Sequence, residues 1–267
     1  MDQYVPLTFT PRPIRSARRH AAAMLAVRRV LACAACFSFA LSAAWFAAYY
    51  LDYCHQRERR TFFAEYAIVV IASDESSAPG QTRFDFLRTQ NSDTLGWLSI
   101  PALGIEEPVV AGRDNSYYLS HDFDGAPSRF GAIFLDRRCA PSDRSLILYG
   151  HAARDGSMFG GLKAYRDEAF LRVNPRIRLD TPEGANEWEI VAVLLADPGE
   201  ADSFFAWQRE AHAGNVTMDV FAARCRERAI CVGAADVGPE ARLLSLVTCA
   251  YDFAEARLVI LAMEVIQ

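Results

Sequence analysis

Lysine is almost missing from this chain: Lys163 is the one lysine among 28 basic residues, and the rest are arginine. We read that imbalance as compositional bias rather than as function. Internal repeats and low-complexity tracts are also missing, which argues against a solenoid or a disordered linker protein. The acidic outer part has no basic patch interleaved with aromatic residues, so nucleic-acid binding has no support. It also lacks a convincing cluster of metal-ligand residues, and no metal or other cofactor is expected. Charge is missing altogether from Val30 to Leu51, "VLACAACFSFALSAAWFAAYYL".

That uncharged run is long enough, as a helix, to cross about 30 Å of hydrocarbon. Trp45, Tyr49 and Tyr50 gather near its far end, where amphipathic rings favour a membrane interface. Before it, residues 1–29 carry six arginines (Arg12, Arg15, Arg18, Arg19, Arg28 and Arg29) against Asp2, so the overall charge of −5 conceals a basic arm and an acidic remainder. A cleaved signal peptide would have a shorter apolar core and a recognisable cleavage site. The expectation is an uncleaved signal-anchor with its N-terminus in the cytoplasm and the rest of the chain outside the cell. The organisation follows: a basic arm (1–29), a transmembrane anchor (30–51), a juxtamembrane segment and linker (52–82) and an outer domain (83–267).

Cysteine usage adds little by itself. Cys33 and Cys36 form a CxxC, but inside an apolar span they suit helix packing better than zinc or redox chemistry. Cys54 lies just beyond the span. Cys139, Cys225, Cys231 and Cys249 belong to the outer domain, where export permits oxidation. A Cys225–Cys231 bridge is conceivable, though nothing in the sequence demands it.

"TFFAEYAIVVIAS" can continue as a helix, and "SDESSAPGQT" (73–82) has loop composition. After a helix at "RFDFLRTQ" and a turn at Asn91–Asp93, short apolar runs recur between turn residues. Strands are expected at "GWLSI", "EEPVV", "GAIFLD", "SLILYGH", "RIRLDT", "EWEIVAVLLA", "LLSLVTC" and "RLVILAME". Eight strands with short helices between them predict an all-β barrel or sandwich. "MFGGLKAYRDEAFLR", "DSFFAWQREAHA" and "VTMDVFAARCRERA" read as helices.

Three residues of that barrel point to chemistry. Pairing the last two runs as an antiparallel hairpin brings Cys249 and Arg257 to one edge of the sheet. A cysteine is nucleophilic as its thiolate, which nearby positive charge favours. An arginine stays charged and can donate to a developing oxyanion. Taken alone, the pair reads better as a buried cysteine beside a surface arginine. His151 changes that balance, because it follows a strand and Gly150 and precedes a glycine-containing loop. A histidine at a barrel mouth can serve a thiol as proton carrier in acyl transfer.

From about Leu95 onward, the segments "TLGWLSIPALGIEEPVV", "DNSYYLSHDFDG", "GAIFLD", "LILYGHAARDGSMFGGL" and "LLSLVTCAYDFAEARLVI" resemble, in order, the class B sortases. The resemblance covers roughly two-thirds of the chain. It implies a closed eight-stranded sortase-type β-barrel with an N-terminal helical extension, preceded by one transmembrane helix. It also implies a membrane-anchored cysteine transpeptidase. Such an enzyme cleaves a sorting motif of secreted proteins through a thioacyl-enzyme and passes the acyl group to an amine of a peptidoglycan precursor or a pilin. Cys249 matches the family's nucleophile, His151 its histidine and Arg257 its arginine; Asn115, Leu119 and Thr248 match substrate-groove positions. His121 lies in the same matched region but away from the family's catalytic histidine. Val247 stands where the family often has serine, a departure that bears on the sorting motif more than on the reaction. Other exported Cys–His enzymes need different surroundings for the thiol than "VTCAYDF". A tethered β-domain that only binds envelope partners is the non-enzymatic alternative.

Overall fold

The computed structural model of the chain describes residues 15–73, 79–249, 252 and 255–266. Arg12 of the basic arm, residues 74–78 of the segment expected as a loop, and Phe253 in the gap between the last two apolar runs lie outside them; residues 79–82 of that segment are helical, because Pro79 opens the helix that runs to Gln90. The chain divides into two compact units at Cys54/His55. The first contains most of α1 (Arg15–Ser73). Every described side chain from Ala23 to Leu51 is exposed, and this helix is long and apolar enough to cross a membrane.

The second unit contains α2 (Pro79–Gln90), β1 (Thr94–Ile100), β2 (Ile105–Val110), α3 (Tyr117–Ser120), β3 (Ile133–Leu135) and β4 (Ser145–Tyr149). A 3₁₀ turn (Gly160–Arg166), α4 (Glu168–Val173), β5 (Arg176–Thr181) and β6 (Gly184–Ala196) follow. The chain ends with α5 (Phe204–His212), α6 (Met218–Glu227), β7 (Ala229–Val232), β8 (Leu243–Cys249) and β9 (Arg257–Glu264). Strand pairing runs β5-β1-β2-β3-β4-β8-β9-β6, and β5 also pairs with β6, so eight strands close on themselves. These are the eight strands expected from the sequence. β7 is a ninth, hydrogen-bonded to the free side of β6. Its four residues adjoin the helical "RCRERA" pattern, which hides it in the sequence.

β4, β8 and β9 read as continuous apolar runs because both of their faces are covered, whereas β5 alternates, with Arg176 and Arg178 exposed. Outside the barrel, Ile147, Val247, Val259 and Leu261 pack against Phe204, Trp207, Met218 and Phe221 of α5 and α6. Another layer joins Phe63, Phe84, Leu87, Trp97, Tyr118, Phe123 and Phe134. Burial of each such side chain is worth about 1.5–3 kcal/mol. Phe63 comes from α1, so packing carries the barrel unit back to His55, upstream of the Arg83 boundary used in the sequence reading. A buried ion pair, Arg83 to Asp180 at 2.8 Å, ties α2 to β5.

The segment expected as one helix, Met158–Arg172, is two pieces. The 3₁₀ turn ends at Arg166, and Asp167 caps α4 by accepting from the Ala169 amide at 2.8 Å. An N-capping aspartate adopts extended backbone angles, which break the run at that point.

Candidate active site

β8 is the centre of the site, flanked by β4 in parallel and β9 antiparallel. On one side Tyr149 faces Val247, and the ladder continues with the Gly150 amide donating to the Val247 carbonyl at 3.2 Å. Two residues beyond Tyr149 and Val247 stand His151 and Cys249. On the other side Cys249 and Arg257 are direct cross-strand partners. Neighbouring strands lie about 4.8 Å apart. Pairing thus brings His151, Cys249 and Arg257 to one rim from three adjacent strands.

Cys249 is exposed, unlike the six residues before it on β8. It opens into a cleft of about 520 Å³, lined also by Ala152, Arg154, Phe159, Lys163, Arg166, Thr248, Asp252 and Leu258. Arg166 is committed to Asp252 through two bonds of 3.1 and 2.8 Å. Arg154 and Lys163 have no ion-pair partner among the described residues. Thr248 is buried, and its hydroxyl finds no hydrogen-bond partner among them.

His151 is held from below. Its Nε2 lies 2.7 Å from the Leu119 carbonyl. A carbonyl only accepts, so Nε2 carries a proton and Nδ1 is left for proton exchange. Gly131 lies against the ring: a Cβ there would stand 3.1 Å from His151 Cδ2 and 2.4 Å from the Tyr118 carbonyl oxygen. The loop after the histidine folds back, with the Phe159 amide donating to the His151 carbonyl at 2.9 Å.

Arg257 is turned onto its own connection. It donates to the carbonyls of Glu255 and Ala256 at 2.9 and 3.2 Å, and to the Glu255 carboxylate at 3.1 Å. The Glu255 side chain is 76% exposed, so this pair is worth at most about 1 kcal/mol and is easily exchanged.

The six residues picked out in the sequence fall into two groups. Cys249 and Thr248 line the cleft, with His151 and Arg257 on the flanking strands. Leu119, its side chain exposed, meets His151 through its carbonyl. Asn115 does not line the cleft: its Oδ1 accepts from the Arg137 amide at 2.7 Å. Burial raises the Asp136 pKa, but its bonds from Arg138 outweigh that and hold it at about 2. Tyr149, two residues before His151, donates to Asp136 at 3.0 Å, and burial pushes its hydroxyl well up. His121 is stacked on Tyr117, with its Nδ1 2.9 Å from the Tyr117 carbonyl oxygen. Cys139, Cys225 and Cys231 are buried free thiols; burial pushes Cys139 up to about 11.

A family model described as the Sortase domain matches residues 98–265. Sortase B of Listeria monocytogenes serovar 1/2a (strain ATCC BAA-679 / EGD-e) is 30% identical over 178 residues, 65% of this chain and 70% of that protein. This chain belongs to the sortase family, class B. The crystal structure of sortase B from B. anthracis in complex with AAEK1 aligns with 28% identity and a TM-score of 0.65, over 82% of this chain and all (100%) of that one. A Staphylococcus aureus sortase B–substrate complex shares the fold, with TM-score 0.66 at 21% identity over 79% of this chain and 98% of that one. As a class B sortase, the chain is a cysteine transpeptidase built on the closed eight-stranded barrel described above.

The sequence reading missed Arg154, Lys163, Arg166 and Asp252 on the cleft wall, and Gly131 against the His151 ring. Only Gly131 had a local signal, a glycine directly before an apolar strand.

Proposed function

We propose that this sortase acts through Cys249 as nucleophile. The thiolate attacks the carbonyl of a threonine within a sorting motif of a secreted protein, and Arg257 orients the substrate or donates to the oxyanion. The C–N bond breaks as His151 passes its Nδ1 proton to the leaving amine, which leaves a thioacyl-enzyme. An amine of a peptidoglycan precursor or a pilin then attacks the thioester. Its proton returns to His151 Nδ1, the C–S bond breaks, and the thiolate is regenerated. Thr248 serves the substrate groove on the cleft wall and Leu119 beside His151, while Asn115 supports it from outside the cleft through the Arg137 amide. The observation that carries this reading is the shared register of β4, β8 and β9, which brings the three residues to one rim.

The uncharged stretch of α1 is read as a single-pass anchor, with the basic arm in the cytoplasm and the barrel outside the cell. In this organisation the arm is 1–29, the anchor 30–51 and the catalytic domain 83–267, with the juxtamembrane segment 52–82 packed onto that domain from His55 onward.

The test uses the full chain in detergent micelles and its Cys249→Ala variant, both exposed to a library of sorting-motif peptides. Intact mass spectrometry should find an acyl adduct on the wild type and none on the variant, and the mass gain names the motif. If no peptide acylates the protein, and Cys249 reacts with a thiol probe no faster than Cys139 or Cys225, the reading fails in favour of a tethered binding domain.

A further inference from the structure

The helix that enters the barrel unit reaches the histidine through a single loop. Gln56, on α1, is 7% exposed, and its Nε2 donates to Asp122 Oδ2 at 3.0 Å and to Ser128 Oγ at 3.3 Å. These partners stand on opposite arms of one tight loop, which His121 and Pro127 bridge. Each partner is itself fixed to the loop backbone. Asp122 Oδ1 accepts from the amides of Asp124 and Ala126 at 3.0 and 2.9 Å, and Ser128 Oγ accepts from Phe130 at 3.1 Å. The Ser128 amide donates to Ser120 at 2.9 Å, and the Ala132 amide to Tyr118 at 3.0 Å. The two ends of the loop are the groups that hold His151: the Leu119 carbonyl on its Nε2 and Gly131 under its ring.

Around this clasp, Arg59 pairs with Asp124, His55 Nε2 lies 3.6 Å from Asp122, and Phe63 packs edge-on to Phe123 and Trp97. His55, Asp122 and Asp124 offer ligand atoms within 4.8 Å of one another. As a cation site the group fails, because Arg59 already occupies one carboxylate and Gln56 with two amides the other.

We propose that Gln56 is a positioning residue for His151, acting through the loop between Ser120 and Phe130. The inference rests on reading His151 as the proton carrier. A buried amide that spans both arms removes their freedom to splay, and so fixes the Leu119 carbonyl that orients the imidazole. Displacement of a reacting group by about 1 Å can cost 10²-fold in rate. The segment His55–Phe63 is therefore part of the catalytic apparatus rather than a spacer.

The experiment compares the full chain in micelles with Gln56→Leu, which keeps the side-chain volume and removes both bonds. Thermal melting, acylation rate against peptide concentration, and the imidazole ¹⁵N–¹H spectrum are read on the same samples; His151→Gln assigns the His151 resonance. The folded variant should acylate at least tenfold more slowly at saturation, with KM within twofold, and should lose the sharp Nε2–H signal of His151. Rates within twofold of wild type, a loss no larger than the unfolded fraction, or a slowed rate with an unchanged His151 signal would each overturn the proposal. Should Gln56→Leu not fold, Ser128→Ala, which removes one of the two bonds, is judged by the same signal and a smaller rate loss. If the wild type forms no adduct at all, the function proposed above fails, while the spectrum still decides the positioning role on resting protein.

Discussion

Replacing Gly131 with alanine should damage the active site, while the same change at Gly104 should not. Both glycines are in the left-handed region, at φ +60 and +62. An alanine there costs about 1–2 kcal/mol in backbone strain. At Gly104 nothing lies within 4 Å of the added methyl, so strain is the whole cost. At Gly131 the methyl would stand 2.4 Å from the Tyr118 carbonyl, 3.2 Å from the Leu119 carbonyl and 3.1 Å from the histidine ring. The first contact is with backbone, so something must shift, and such overpacking adds about 1–3 kcal/mol. The expected totals are about 1–2 kcal/mol for Gly104→Ala and about 2–5 kcal/mol for Gly131→Ala. For a domain of this size each kcal/mol lowers Tm by about 2–4 °C. The carbonyl that must move, Tyr118's, directly precedes Leu119, whose own carbonyl is bonded to His151 Nε2, so the acylation rate of folded Gly131→Ala should drop by about 10–10²-fold. Gly104→Ala should acylate at the wild-type rate. Melting curves and stopped acylation time courses on the same preparations provide both numbers. Equal stability losses with unchanged acylation in both variants would refute the idea that Gly131 sets the histidine.

The depressed Asp136 pKa makes a prediction about acid stability. Its carboxylate is buried and held at about 2, against the ordinary 3.8 when unfolded, so it favours the folded state above pH 3.8 and loses that contribution as pH falls towards 2. The difference is worth about 2 kcal/mol, so Asp136→Asn should unfold more readily at pH 7 and show a flatter stability curve between pH 4 and 2 in denaturant titrations. Mass-mapped labelling with a thiol reagent should modify Cys249 ahead of Cys139 and Cys225, which are buried and raised in pKa. Equal labelling of all three in folded protein would contradict the packing described. Arg154 and Lys163 leave the cleft wall positive, so peptides with an acidic residue should acylate with lower KM at 20 mM salt than at 300 mM, about the range over which surface charges become screened. The double variant R154A/K163A should remove that salt dependence, and if it persists the two cations do not face the substrate.

Most of the barrel was legible because its strands carry apolar runs bounded by turn residues, continuous where both faces are covered, as in β4, β8 and β9, and alternating in β5. Cys249 and Arg257 were legible for a local reason, since a hairpin pairs its own ends. His151 was legible as a histidine after a Gly-terminated strand. What was hidden depends on long-range pairing. The parallel register of β4 on β8 and the closure of β5 on β6 join segments with no pattern in common. Gln56 is the extreme case: its partners are 66 and 72 residues away, and a lone glutamine in a charged stretch gives no local sign of burial. The split of Met158–Arg172 was missed for the opposite reason. Its helical periodicity is real, but Asp167 prefers to cap a helix rather than continue one.

The departure at Val247 has a physical reading. Val247 is 1% exposed and packs with Ile147, Val259 and the α5–α6 layer, so a serine there would carry its hydroxyl into apolar surroundings. An unpaired buried hydroxyl costs about 1–3 kcal/mol. Valine instead stiffens the end of β8 before Cys249 and packs it against the α5–α6 layer. Thr248 is then the only hydroxyl among the final three residues of that strand. It faces the cleft beside Cys249 and has no partner among the described residues. Ser245 is likewise unpaired but fully buried deeper along β8, away from the cleft. A peptide lying along the cleft could satisfy Thr248 and not Ser245. Valine at 247 therefore takes no polar contact from the cleft, and Thr248, next to Cys249 and one residue from its pairing with Arg257, is the hydroxyl that this end of the strand offers a substrate.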